Sequence, residues 1–403
     1  MLELLRGVRV LDLTTVVLGP YATQIIGDFG ADVIKVEPPA GDVFRSVRPG
    51  RSGRMGAGFL GCNRNKRSIV IDLRKAEGVE ALMKLVETVD VVVHNMRPKS
   101  AAKLGFDFEA CKARNPRIIY CYASGFGQDG PYADEPAYDD TIQAVSGVAW
   151  LNANADGEPR FMRTIIADKV GGLHLAMAVL AALGARGRAG ASDEAICIEA
   201  PMFESLVSFL MVEQLGGMSF DPPLGSTGYE RLNSPYRKPF ATRDGYISII
   251  PYTSAHWGRF LHLVGEDDLA TDPIVTDPVQ RSRNIGQLYA VIERCAPQRT
   301  TDEWIAVLRE CDVPCSRVNQ LADLFENEHL REVGMFEVTG HPTEGDVMTV
   351  RSPFRQVGTE PAPDRLAPVR GSDTRTLLEE AGLDGTAIDA LILAGAVAEG
   401  ELL

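Results

Sequence analysis

Two hydrophobic rhythms run through the first third of this 403-residue chain. Near-continuous runs of Val, Ile and Leu at 8–13 (VRVLDL), 32–37 (DVIKVE), 68–73 (SIVIDL), 89–94 and 117–122 (RIIYCY) read as strands covered on both faces. Helical stretches lie between them at 14–30, 76–88 and 108–114. Strand, helix and strand within about 30 residues is the unit of a parallel sheet. The expectation is an α/β fold, a Rossmann-like doubly wound large domain whose ligands bind beyond the carboxyl ends of the strands.

The pattern changes at 162–183 (MRTIIADKVGGLHLAMAVLAAL), an apolar stretch with Asp168 near its head. Ile165, Val170, Leu173, Met177 and Leu180 recur at helical spacing and predict a mostly buried helix. Asp168 then has two readings: a helix-capping or first-turn acid, or a carboxylate placed there for chemistry. Residues 195–200 read as a strand and 202–215 as a helix. Gly, Pro and Ser crowd 216–235, where periodicity stops. An expected hairpin at 239–251 turns at Arg243-Asp244-Gly245, and amphipathic helix follows to 310. The expected division is therefore 1–222 in the large domain and 223–318 as a smaller α+β domain, after which 319–403, with an acidic helical tail at 373–403, either returns to the large domain or forms a third.

The net charge of −14 argues against a nucleic-acid partner. Residues 1–118 nonetheless hold 19 Lys and Arg against 13 Asp and Glu, which points to a small polyanion bound there. The strand ends carry matching groups: Val16 to Gly19 after the first, Arg45 beyond the second, Asn65-Lys66-Arg67 and Arg74 flanking the third, and Asn95-Met96-Arg97 with Lys103 after the fourth. Seven scattered cysteines suit reduced thiols, and Cys311 with Cys315 lacks a second pair at zinc-ligand spacing. No apolar run long enough for a membrane span and no signal-peptide layout is present, so the expected location is cytoplasmic. The segment 125–130 (GFGQDG) matches a dinucleotide-binding turn, but Pro131 follows where a helix must open, so its glycines read as those of a tight loop. A nicotinamide-dependent oxidoreductase is thereby disfavoured.

Five blocks in one order then carry a resemblance: GVRVLDLTTVVLGPYATQIIGDFGADVIKVEPPAGD, NRNKRSIVIDLR, NMRPKSAAKLGF, SGFGQDGPY and IIADKVGGLHLA. The chain resembles the class III coenzyme A transferases over nearly its whole length. The resemblance implies that Asp168 is a covalent nucleophile, with Tyr138 and Asp139 beside it, in the transfer of coenzyme A from an acyl-CoA to a carboxylic acid. It implies coenzyme A contacts at Val16, Leu18, Ile71, Arg74, Asn95, Met96 and Lys103. Coenzyme A and acyl-CoA would be substrates, and no prosthetic group, nicotinamide, flavin or metal is expected. It implies a large domain built from both chain ends, so that 319–403 returns to it, ring-shaped protomers interlocked in a homodimer, and neither membrane nor nucleic acid as partner. The oxyanion donors are expected near Gly19 or Gly171-Gly172, and His174 is expected to pack.

The departures are specific. The formyl-CoA transferase branch has Gln at the position of Val17, Arg at that of Pro38, and a glycine loop in the region of Arg231 to Tyr236. The 2-methylacyl-CoA racemase branch has a catalytic His where Tyr138 stands, and no His lies between His94 and His174. Epimerisation by the same fold is the alternative activity, and a coenzyme A-binding protein without catalysis is a further one.

Overall fold

The computed structural model describes residues 1–400 apart from 155, 189 and 191; residues 401–403, the end of the expected helical tail, lie outside that description. The chain divides into two compact units, Met1–Phe209 with Val333–Leu403, and Leu210–Glu332. The divisions expected at 222 and 318 thus both fall inside the second unit. Helix Met202–Gln214 carries the chain into it, so the change of unit precedes the Gly- and Pro-rich segment.

In the first unit, β1 (Arg9–Leu13), β2 (Asp32–Glu37), β3 (Lys66–Ile71), β4 (Val91–His94), β5 (Ile119–Tyr122) and β6 (Ile196–Glu199) form a parallel sheet ordered β3-β2-β1-β4-β5-β6. Short segment Val397–Ala398 adds an antiparallel edge to β3. This is the doubly wound order, and its direction reverses between β1 and β4, where a crevice opens at the carboxyl ends. Val10 pairs with Val33 on one side and Val91 on the other, which fixes the register at that crevice. Leu11, Ile34, Ile69 and Val92 bury one sheet face against Leu82, Val86, Phe106 and Leu377.

The opposite face carries charge. Lys66 Nζ donates to Asp12 Oδ2 at 3.0 Å, to the Pro20 carbonyl at 2.9 Å and to Asn63 Oδ1 at 2.9 Å. Lys35 Nζ donates to Asp42 Oδ2 and to the Thr14 carbonyl, both at 2.9 Å. Asp12, Lys35, Asp42 and Lys66 are all buried. Burial alone would raise the Asp12 carboxyl, but Lys66, Lys35 and the hydroxyls of Thr14 and Thr23 hold it at about 2. Beside them, Arg45 forks onto Glu37 with two bonds of 2.7 Å. The network grips the chain leaving β1 at Thr14, Val16 and Pro20. Val16 has φ +69°, a conformation that costs a β-branched residue about 1–3 kcal/mol, and its N–H donates to Asp42 Oδ1 at 3.2 Å.

Helix Leu18–Asp28 follows and crosses helix Ile166–Arg186. A Cβ on Gly172 would lie 2.6 Å from the Leu18 carbonyl oxygen, and one on Gly171 2.8 Å from the Leu18 side chain. The crossing therefore requires glycine. This corrects the expected buried face: Val170, Gly171, Gly172, Leu175, Ala176 and Val179 point inward, while Leu173 and Met177 are exposed, because the small residues admit the neighbouring helix. By length and composition this helix is apolar enough to cross a membrane, and here its inward face is packed on protein.

The second unit holds the expected hairpin, Phe240–Ala241 with Tyr246–Ile249, joined by Cys315–Arg317 into a three-stranded sheet. Helices pack Trp257, Phe260, Leu288 and Trp304 into one core. All seven cysteines are free thiols.

Glycines on one helix give opposite expectations. Gly172→Ala should lower stability by about 1–3 kcal/mol through backbone collision. Gly184→Ala, with open space around its Cβ, should raise it by up to about 1 kcal/mol. Urea midpoints of the two variants test this, and equal midpoints would refute the close crossing.

Candidate active site

Asp168 sits in the first turn of helix Ile166–Arg186, and Gly171 and Gly172 share its face three and four residues on. That face meets the amino end of helix Leu18–Asp28, so the carboxylate stands at the head of the crossing, near the carboxyl end of β1. It is half-buried, and among the described residues no Lys or Arg is paired with it. Burial and the neighbouring Asp139 raise its carboxyl from 3.8 to about 6.

Asp139 explains the local geometry. It is buried at the start of helix Asp139–Val145, and its Oδ1 accepts the N–H groups of Ala167 at 2.8 Å and Asp168 at 3.2 Å. Its Oδ2 accepts from Gln143 at 2.6 Å. One helix thus supplies the N-cap of another, a task ordinarily done by the residue preceding the helix. Gln143, one turn after Asp139 and buried, also accepts the Met162 N–H at 2.8 Å and so clamps the approach to the helix. Sequence reasoning missed Gln143; its i, i+4 relation to Asp139 was the available signal.

Tyr138, by contrast, is 74% exposed, and its main-chain N–H, not its ring, is bonded, to Thr141. The first-turn donors of helix Ile166–Arg186 are all taken: Ile166 N–H by the Thr164 carbonyl, Ala167 and Asp168 by Asp139, Lys169 by the Ile165 carbonyl. Gly171 and Gly172 lie in the helix interior, where N–H groups serve the helix ladder. The expectation of oxyanion donors at Gly171-Gly172 is therefore corrected. The amino end of helix Leu18–Asp28 has no side-chain cap, so Leu18 and Gly19 are the first-turn donors left there among the described residues.

The residues assigned to coenzyme A by resemblance separate into groups. Val16, Asn95 and Met96 stand together at the crevice, because Asn95 Oδ1 accepts the Thr15 N–H at 3.0 Å and its Nδ2 donates back to the Thr15 carbonyl at 2.9 Å. Leu18 is buried beneath Gly171, and Ile71 is fully buried in the core, so neither side chain faces solvent. Arg74 is exposed and forks onto Asp72 at 2.8 Å; Lys103 is exposed at the end of helix Pro98–Lys103.

Other basic groups are structural. Lys66 belongs to the buried network, Arg67 pairs with Asp32 and Glu380, and Asn65 binds Asp28 and Asp364. They start β3 rather than end it. His94, closing β4, is buried and held down to about 4 by burial; its Nδ1 accepts the Met96 N–H at 3.2 Å. It therefore stays neutral and shapes the turn. Carboxylates of Glu199 and Glu204 occupy the N–H groups of Gln128 and Gly127, so the GFGQDG loop is closed to phosphate. His174 donates to the Val170 carbonyl within its own helix. A concavity of about 360 Å³ at the carboxyl end of β2, walled by Asp42, Arg45, Arg54 and Arg370, includes none of the residues assigned to coenzyme A.

A raised carboxyl means that the fold favours protonated Asp168. Its contribution to stability is present below the ordinary value of 3.8 and is lost as pH rises through about 6. Two variants of Asp139 separate charge from cap. Asp139→Asn keeps an acceptor and should move the NMR-titrated Asp168 carboxyl below 6; Asp139→Ala should also cost about 1–2 kcal/mol from the lost cap. An unmoved Asp168 titration in both would refute the coupling.

Known proteins match the chain over nearly its whole length. The profile of CoA-transferase family III matches residues 5–374. The chain is 32% identical over 391 residues to succinyl-CoA:mesaconate CoA-transferase of Haloarcula marismortui, covering 94% of this chain and 97% of that one. It is 31% identical over 404 residues to formyl-CoA:oxalate CoA-transferase of Bradyrhizobium, covering 94% of each. A crystal structure of a CAIB/BAIF family protein from Brucella suis superposes with a TM-score of 0.78 at 31% identity, covering 94% of this chain and all of that one. With its α/β sheet and nearly its full length matched, the chain belongs to CoA-transferase family III and is an enzyme of the transferase class.

Proposed function

We propose that this chain moves coenzyme A from an acyl-CoA donor to a carboxylic acid acceptor through covalent intermediates on Asp168. The observation that supports this most is the state of that carboxylate: half-buried, without a cationic partner among the described residues, and raised to about 6. A carboxylate short of solvation and of an ion pair attacks carbonyl carbon more readily than a surface one.

Asp168 attacks the thioester carbonyl of the donor, the C–S bond breaks, and coenzyme A leaves as thiolate, giving a mixed anhydride. The thiolate attacks the aspartyl carbonyl, expels the donor acid as carboxylate and leaves an aspartyl-CoA thioester. An acceptor carboxylate then attacks that thioester, again releasing thiolate and forming an anhydride. Attack of the thiolate on the acceptor's acyl carbon yields the new acyl-CoA and frees Asp168. The steps balance without oxidant or reductant. Asp139 positions the nucleophile by capping its helix, and Leu18 and Gly19 N–H groups are the oxyanion donors we assign. Arg74 and Lys103 would meet phosphates, and Val16, Asn95 and Met96 the pantetheine approach to the crevice. The acids named for the relatives are not carried over, since Val17, Pro38 and the segment 231–236 depart from the formyl-CoA transferase pattern.

Epimerisation of 2-methylacyl-CoA needs an acid and a base on opposite sides of the α-carbon. Tyr138 replaces the histidine of that branch, and Asp139 is committed to the amides of Ala167 and Asp168. Transfer is the better reading.

Hydroxylamine trapping after incubation with a panel of acyl-CoAs, followed by peptide mapping, should find modification at Asp168. Asp168→Asn should abolish trapping and lower kcat by about a thousandfold or more. In the wild type the acidic limb of kcat/KM should fall with an apparent pKa near 6, since the nucleophile must be ionised. No modification across the panel, together with deuterium wash-in at an α-carbon, would overturn transfer in favour of epimerisation.

The working form is a homodimer, interlocked as the resemblance implies. Val145, Trp150, Leu151, Phe161 and Met177 are exposed on and near the nucleophile helix, where a partner chain would cover them. Light scattering should give twice the 43.7 kDa chain mass, and a monomer at micromolar concentration would exclude this assembly.

A further inference from the structure

The second unit contains cations with which no carboxylate is paired among the described residues. Half of its twelve Lys and Arg are matched among the described residues: Lys238 with Glu293, Arg243 with Glu303, Arg259 with Asp312, Arg294 with Glu266, Arg317 with Asp302 and Arg331 with Glu326. Arg283, Arg299 and Arg309 are not, nor are Arg231, Arg237 and Arg281, and it is their shared place that sets the last three apart. No carboxylate is paired with any of them among the described residues, yet all three line two adjoining concavities of about 180 and 210 Å³ that share Arg231 and Tyr289.

Arg231 is the centre of the arrangement. Its Nε donates to the phenol oxygen of Tyr289 at 2.9 Å, and its guanidinium carbon lies 5.4 Å from the centre of the Tyr252 ring. Tyr289 is itself buried and packs on Trp257 and Phe240. One edge and one face of the guanidinium are thus fixed by groups that cannot neutralise it, and among the described residues no carboxylate is paired with its terminal nitrogens. Arg281 is anchored by Nη1 to Ser254 Oγ at 2.6 Å and to the Val275 carbonyl at 2.7 Å. A guanidinium without a counter-ion is matched in shape and charge by a planar anion taken in two parallel N–H···O bonds.

The walls say which anion. Tyr229, Tyr252, Trp257, Pro251 and Ile285 give the smaller concavity an aromatic and aliphatic lining, suited to the short carbon chain of an organic acid, with Arg231 and Arg281 in its wall to meet carboxylate. Its volume is well below the range of about 300 Å³ and upward typical of sites for larger ligands such as nucleotides. We propose that the second unit carries a binding pocket for the carboxylate of a small organic acid, with Arg231 as its recognition residue and Tyr289 as the group that orients it. That the acid is the transferase's own acceptor or donor product rests on the reaction proposed above; the binding does not, because it involves no step at Asp168.

Calorimetric titration of the full-length chain with succinate, in the absence of coenzyme A, tests the pocket. Millimolar or tighter binding is expected in the wild type and in Asp168→Asn alike. Arg231→Gln should weaken it by about tenfold or more. Tyr289→Phe, which removes only the anchoring oxygen, should weaken it by a smaller factor, and Arg231→Lys should not restore wild-type affinity, since an ammonium lacks the planar fork. Circular dichroism and thermal midpoints establish that each variant is folded. Absence of succinate binding, or unchanged binding in folded Arg231→Gln, would overturn the proposal. Inorganic phosphate binding as tightly as succinate would overturn the assignment to an organic acid. Failure here with trapping retained at Asp168 would refute the pocket alone, and the converse would refute the transfer mechanism alone.

Discussion

Opposite charges buried beneath the first strands determine where everything else at the crevice stands. Asp12, Lys35, Asp42 and Lys66 cluster at one face of the sheet in two ion pairs, and further bonds from them reach the main chain at Thr14, Val16 and Pro20. Such a network is poor evidence for stability, because removing charges from water costs several kcal/mol per ion before attraction is counted. What it supplies is position. A left-handed valine is held in place by an aspartate, the helix that follows starts where that valine directs it, and the nucleophile helix crosses at a distance only glycine permits.

The cap on the nucleophile helix extends the same logic. An acid near a helix amino end is ordinarily stabilised as an anion by the helix dipole. Here a second acid has taken the amides first, so Asp168 meets a neighbouring negative charge where a bare helix end would have offered positive potential. Asp139 thus does two things with one side chain: it fixes the backbone under the nucleophile and keeps the nucleophile basic.

Sequence reading recovered the layered part of this architecture because it depends on periodicity. Buried runs such as VRVLDL and DVIKVE allow little but interior strands, and the doubly wound α/β class followed from their rhythm. It failed where long side chains reach across elements. Lys66 looks like a phosphate ligand in NRNKRS, and only the fold reveals that its amine ends on Asp12, on a strand 54 residues earlier. Leu173 and Met177 follow helical spacing inward, yet two glycines set the contact face. The position of Asp168 was legible, but its environment was not: the charge of Asp139, the clamp of Gln143 and the exposure of Tyr138 depend on how a loop of some 20 residues returns to the helix. Arg231 was noted only as a departure from a glycine loop, since its isolation from acids is a property of three dimensions.

The edge strand Val397–Ala398 has a consequence for how the chain is made. It pairs with β3, and the helices before it, Thr374–Glu380 and Gly385–Leu393, contribute Leu377, Leu378 and Ile388 to the core beneath the sheet. During synthesis β3 therefore emerges more than 300 residues before its outer partner, with the whole of Leu210–Glu332 translated in between. For that interval the sheet presents an unpaired edge and an uncovered apolar surface, the features that invite association with other nascent chains. The burden of protecting the unfinished protein falls on whatever shields that edge until residues 374–398 arrive.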